Sequence, residues 1–220
     1  FHPKDYQFMP MFRRKKWDGY VYLYNIDNGR IYYGLKNRIQ RFASDREYEL
    51  IDQTNDSIEH ISNEDYLKFL TSFSCEYRLR DYQNAAIRHS IDKRRCVLLS
   101  PTASGKSLII YYLVRYYFPQ KSLIIVPTLS LVSQMYSDFE AYAKADKTFE
   151  VEKFVHKIFG GQEKVTNKPI IISTWQSLYD LKKDFFTDFE LVIGDEAHLY
   201  KAKSLTKIMK NLENAPYRIG

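Results

Sequence analysis

The chain carries only two cysteines, Cys75 and Cys96, in 220 residues. They show no metal-ligand spacing. So sparse a usage excludes a disulfide scaffold and fits a reduced, cytoplasmic setting. No apolar run approaches the roughly 18 residues of a membrane-spanning helix, so no membrane partner is expected, and no secretory leader is visible. Internal repeats and low-complexity tracts are also missing. What remains is ordinary for a globular protein: 45% apolar residues in a length that suits one or two domains with a real core.

Charge is spread unevenly. The formal net charge is +6 and the pI about 9.1. Residues 1–42 hold nine Lys/Arg against three Asp/Glu, together with eleven aromatics, whereas residues 43–72 hold two against eight. A basic block permits nucleic-acid binding without proving it. Its densest part is Arg13-Arg14-Lys15-Lys16, beside Trp17. A charge run is commonly a solvated face, but the aromatic neighbourhood favours a phosphate-binding patch. Lys36, Arg38 and Arg41 are candidates to extend it.

Periodicity predicts two units. In the first, about residues 1–75, Tyr20–Ile26 and Arg30–Gly34 read as a hairpin closed by a two-residue turn at Asn28-Gly29. A helix follows over Leu35–Arg46, and Tyr48–Ile51 reads as a short strand. Ser62 reads as a helix cap, with Asp65 reaching back. This is a small α+β domain. From residue 76 short apolar runs alternate with helical stretches. Strands are predicted at Cys96–Ser100, Leu123–Val126, Val151–Val155, Ile170–Ser173, Leu191–Gly194 and Tyr217–Ile219. Helices are predicted at Tyr82–Ile91, Ser107–Tyr117, Leu129–Tyr142, Gln176–Lys183 and Ser204–Leu212. The alternation implies an α/β fold with a central parallel sheet covered on both faces, which binds ligands at the carboxyl ends of its strands.

Two segments carry chemistry. Ser100-Pro101-Thr102-Ala103-Ser104-Gly105-Lys106-Ser107 lies between an apolar strand and a helix, the context of a phosphate-binding loop. Its amides can turn inward as a nest, and the helix start near Gly105 adds a positive dipole end. Lys106 can reach the β- and γ-phosphates of a nucleotide, and the Ser107 hydroxyl can ligate Mg²⁺. One departure is that Ser100 stands where the general pattern has glycine. The second segment, Leu191–His198, is an apolar strand ending in Asp195-Glu196. Asp195 suits the metal, in part through water, and Glu196 suits the positioning of an attacking water. The catalytic candidates are thus Lys106, Asp195 and Glu196.

Taken in order, these motifs resemble the DExH group of superfamily 2 helicases. The resemblance implies a RecA-like domain over residues 76–220, with ATP and Mg²⁺ as cofactors. It implies that Leu79–Gln83 is the upstream segment in which Gln83 reads adenine and Tyr82 packs beside it. Ile125–Gln134 and Ser173–Ser177 look like the motifs that grip a sugar-phosphate backbone, which nominates Thr128, Thr174 and Gln176. His198 corresponds to a residue that couples to a glutamine of the second motor domain. The region Phe8–Gly34 is similar to the small N-terminal domain of phage UvsW-type recombination and branch-migration helicases. The function implied is an ATP- and DNA-binding fragment of an ATP-dependent DNA helicase or translocase in recombination, repair or fork processing. The implied location is the cytoplasm, that of the host if phage-encoded. The alternatives are the motor subunit of a restriction enzyme and a non-hydrolysing nucleic-acid-binding module. By the same resemblance a second RecA-like domain with an arginine finger would follow residue 220. An arginine finger contributes about 10³–10⁵ in rate in related systems. The chain alone is therefore expected to bind nucleotide but turn it over slowly. Steady-state ATPase checks this, and DNA-stimulated turnover near one per second would contradict it.

Overall fold

In the computed structural model of the chain, residues 1–54, 60–101, 103–159 and 166–220 are described. The chain divides into two compact units, Phe1–Asp56 and Ser57–Gly220. The sequence pattern placed the division near residue 75.

The first unit has little regular structure. It contains helix α1 (Pro10–Arg13), strands β1 (Tyr24–Asn25) and β2 (Arg30–Ile31), and helix α2 (Lys36–Ser44). The two strands pair antiparallel, Tyr24 opposite Ile31 and Asn25 opposite Arg30. The hairpin loop is therefore Ile26–Gly29, not a two-residue turn. Asn25 sets it: its side-chain oxygen accepts from the amides of Asp27 (2.9 Å) and Asn28 (3.3 Å), an Asx turn that begins the reversal early. Gly29 completes it at φ +66°, in the left-handed region that favours glycine. Tyr48–Ile51 forms no strand. All four residues are exposed and have no apolar face to bury.

In the second unit, helix α3 (Asn63–Thr71) opens on the predicted cap: Ser62 accepts from the Asp65 amide at 3.0 Å and donates to its carboxylate at 2.7 Å. α3 belongs here because its apolar face docks on this unit's core. Phe69 meets Tyr112 and Tyr116 edge-on, and the buried Tyr66 hydroxyl donates to the Asn84 side chain at 2.5 Å. Next come α4 (Asp81–Lys93), β3 (Arg95–Cys96), α5 (Lys106–Tyr117), β4 (Ser122–Val126) and α6 (Leu129–Ala143). The chain continues through α7 (Val151–Phe154), β5 (Val155–Ile158), β6 (Ile170–Thr174), α8 (Trp175–Leu178), β7 (Leu191–Gly194), α9 (Lys203–Asn211) and β8 (Tyr217–Ile219).

The six strands form one parallel sheet in the order β3-β8-β7-β4-β6-β5. β4, β6 and β7 are buried along their whole length, as strands covered on both faces must be. Alternate residues feed opposite cores. Ile124, Ile172 and Ile193 meet Ile109, Leu113 and Phe139 from α5 and α6 on one face. Ile125, Ile171 and Val192 meet Leu178, Leu205 and Ile208 from α8 and α9 on the other. No helix among the described residues is long and apolar enough to cross a membrane.

Three predicted elements shift. Residues 151–154 form a helical turn, and strand pairing starts only at Val155, opposite Ile170, where β6 begins. The Lys168 ammonium fastens that turn by donating to the carbonyls of Glu152 (2.5 Å) and Val155 (3.3 Å). The strand predicted at Cys96–Ser100 is instead Arg95–Cys96, at the sheet edge beside β8. The pairing extends one step, from the Leu98 amide to the Gly220 carbonyl at 2.7 Å. The helix predicted over Gln176–Lys183 is one turn, closed by a Leu181 amide to Leu178 carbonyl bond at 3.1 Å. This tightening lets Leu178, Leu181 and Phe186 reach the same core.

Candidate nucleotide site

Parallel packing brings the carboxyl ends of β3 and β7 together, and the two chemical segments with them. The loop after β3 turns at Ala103 (φ +61°) and at Gly105 (φ +75°), which caps α5. Such alternation of hand turns successive amides inward. The amides of Gly105, Lys106 and Ser107 donate to no partner among the described residues, as the first turn of a helix requires. Ser100, the departure from glycine, shares a 2.5 Å hydrogen bond with the Ser104 hydroxyl and so ties the base of the loop to its crown. Pro101 and Ala103 are exposed, and Ser104 is buried. Thr102 lies outside the described residues.

Gln83 and Tyr82 both face this loop. The Gln83 side-chain amide donates to the Ser104 carbonyl (3.0 Å) and more weakly to that of Gly105 (3.4 Å), while its oxygen accepts from the Arg80 amide (2.9 Å). Buried at 4% exposure, it braces the loop. Reading adenine, the role implied for it, would require these bonds to break. A Cβ on residue 105 would lie 2.5 Å from the Gln83 nitrogen, so Gly105 is needed for this contact as well as for its φ. The Tyr82 hydroxyl donates to the Ser104 carbonyl at 2.8 Å, which leaves its ring half exposed.

Across the loop, the Asp195 amide bonds the Ile125 carbonyl at 2.9 Å, carrying the sheet register into the acidic pair. Glu196 then turns left-handed at φ 56°. Its carboxylate lies 3.4 Å from the Lys106 ammonium and 3.1 Å from His198 Nδ1. Asp195 is half-buried, and burial raises its pKa. Neighbouring Lys106 opposes the rise, and the negative charge of Glu196 adds to it. The Ser107 hydroxyl shares a 2.8 Å hydrogen bond with the Tyr142 hydroxyl, a neighbour that nothing in the sequence signals. Gly194 was a readable sign: glycine in a strand often marks a close approach, and the Tyr200 ring occupies the place of its missing side chain. Lys106, Asp195, Glu196 and His198 border a cavity of about 320 Å³ floored by Ile109 and Ile193.

The donor set fits a hydrated magnesium. Asp195 and Ser107 offer hard oxygen ligands, and Mg²⁺ takes one or two carboxylates while keeping several waters. The Asp195 carboxylate forms no ion pair among the described residues, so a cation would relieve the charge that burial disfavours. Among the described residues no group of three or more His, Cys, Asp or Glu converges as a metal site.

The nominated backbone-gripping residues divide. Thr128 is exposed and caps α6, accepting from the Leu131 amide at 3.3 Å. Gln176 is exposed on α8. Thr174 is only 2% exposed and spends its hydroxyl on capping α8 through Ser177, so the side-chain contact suggested for it is closed off. In the first unit Arg13, Arg14, Lys15 and Lys16 are all exposed and make no ion pair among the described residues. Lys36 does not extend the patch. It pairs with Asp52 at 2.7 Å and holds that carboxylate down to about 2.

A family model described as type III restriction enzyme, res subunit, matches residues 76–220. The chain belongs to that family. A second model, described as DNA helicase UvsW, N-terminal, matches residues 1–52. The chain is 33% identical to the ATP-dependent DNA helicase uvsW of Enterobacteria phage T4, over 100% of this chain and 45% of that protein. It is 30% identical to the DNA 3'-5' translocase XPB2 of Sulfurisphaera tokodaii, over 64% of this chain and 30% of that protein. The crystal structure of T4 UvsW superposes with a TM-score of 0.81 at 33% identity, covering 100% of this chain and 46% of that one. The chain thus spans less than half the length of these relatives.

Proposed function

We propose that this chain is the ATP-binding and DNA-binding part of an ATP-dependent DNA helicase or translocase that processes branched DNA in recombination, repair or fork metabolism. The observation that carries the reading is the convergence of Lys106 with Asp195 and Glu196 on one cavity at the carboxyl edge of the sheet. Residues Pro101–Ser107 wrap the phosphates, with amides and the α5 dipole toward the anion. Lys106 moves from Glu196 to the β- and γ-phosphates. Ser107 and Asp195 would hold a magnesium ion, which would neutralise phosphate charge. Glu196, released by Lys106, orients the attacking water. Thr128 and Gln176 rest on the DNA backbone, and Arg13, Arg14, Lys15 and Lys16 attract it. The match of residues 1–52 to the UvsW N-terminal model favours this reading over a restriction-enzyme motor.

The DNA half of the proposal is tested by neutralising Arg13, Arg14, Lys15 and Lys16 together. Binding should weaken, and the slope of log affinity against log salt should flatten by roughly 0.7–0.9 per lost phosphate contact. An unchanged slope removes this patch from the interface.

A further inference from the structure

Helix α9 is amphipathic in an unusual way. Leu205 and Ile208 point into the core, and Lys203, Lys207 and Lys210 recur at the three- and four-residue spacing that puts them on the opposite, exposed face. Residues 203–211 contain no Asp or Glu, and none of the three lysines forms an ion pair among the described residues. The acid closest in sequence, Glu213, is taken by Lys183 at 3.0 Å.

A solvated helix face commonly mixes both signs. Here the first turn has no acidic residue and opens with Lys203, against a helix dipole that favours anions at that end. Helix stability therefore does not account for the pattern. The neighbourhood supplies a reason. The Lys207 ammonium sits 4.4 Å from the ring centroid of Tyr179 and 3.5 Å from its carbonyl. Tyr179 directly follows α8, which carries the exposed Gln176. The lysine face is thus continuous with a segment already assigned to the DNA backbone.

We propose that Lys203, Lys207 and Lys210 form a further contact surface for the nucleic-acid phosphate backbone, on the motor unit itself. The inference rests on the DNA-binding reading above. Phosphate ladders fit it because three ammonium groups without an ion pair among the described residues recur along one helix face, a spacing that suits anions at intervals without base-reading geometry. Tyr179 holds Lys207 in place through its ring face.

The test compares the parent chain with the Lys203→Gln/Lys207→Gln/Lys210→Gln variant and a control, Lys93→Gln/Lys144→Gln/Lys147→Gln. The control removes the same charge from exposed sites elsewhere. Duplex DNA binding is measured across a salt series, with nucleotide binding as the check on folding. The α9 variant should lower the salt slope by about 2 to 3 and weaken low-salt affinity about ten- to a hundredfold, with nucleotide binding unchanged. The control should stay close to the parent. An α9 variant matching the parent overturns the surface, and so does a control that loses as much. No DNA binding by the parent chain at all overturns the parent reading together with this one.

Discussion

Replacing Lys106 with alanine should weaken magnesium-nucleotide binding about 30- to several-thousandfold while leaving DNA binding nearly intact. The range follows from truncating one partner of a desolvated charge contact, about 2–5 kcal/mol. Two effects add at this position. The phosphates lose their only side-chain cation among the described residues bordering the cavity. In addition, Asp195 and Glu196 lose the ammonium beside them, so an incoming triphosphate meets two carboxyl groups with no cation to offset them. The fold should survive, because Lys106 is about a third exposed and its one ion pair, to Glu196, is long at 3.4 Å. Titration with a fluorescent nucleotide, alongside a melting curve and a DNA-binding isotherm, separates the outcomes. Near-parental nucleotide affinity in a folded variant would remove the loop after β3 from nucleotide binding.

Residues whose chemistry admits few substitutes were legible in the sequence. Lys106 and the acidic pair at 195–196 stood out by residue type and order, and the fold brings them to one cavity. β4, β6 and β7 were legible because burial on both faces leaves an unbroken apolar run. Features that depend on which neighbour arrives were not. The period of α3 showed that it buries a face, but not that the partner would be Tyr112 and Tyr116 of α5. The start of β5 was set by where β6 begins, a matter of register across strands. Gln83 read as a ligand-facing residue by resemblance. Only three-dimensional packing reveals that the space left by the missing Gly105 side chain holds its amide against the loop. In Thr174 the same strand-to-helix position that suggested an exposed hydroxyl gives a buried cap.

Substituting Glu196 with glutamine separates binding from chemistry. The amide keeps the size of the carboxylate and its oxygen can still accept from the Lys106 ammonium, but it cannot take a proton from water. General-base assistance contributes about 10²–10⁴ in rate, so single-turnover cleavage of radiolabelled ATP should slow by that factor. Affinity should move the other way or stay level. Lys106 no longer leaves an ionic partner when it turns to the phosphates, and one negative charge next to the triphosphate is gone. The substitution also removes the like charge that helps to raise Asp195, leaving that carboxylate more readily ionised for a cation. Cleavage therefore falls without a loss of affinity, which a general disruption of the site cannot produce. If the Gln variant cleaves ATP at the parental rate, the proton acceptor lies elsewhere. Asp195 would then be the next carboxylate to test, being adjacent in the chain and on the same cavity wall.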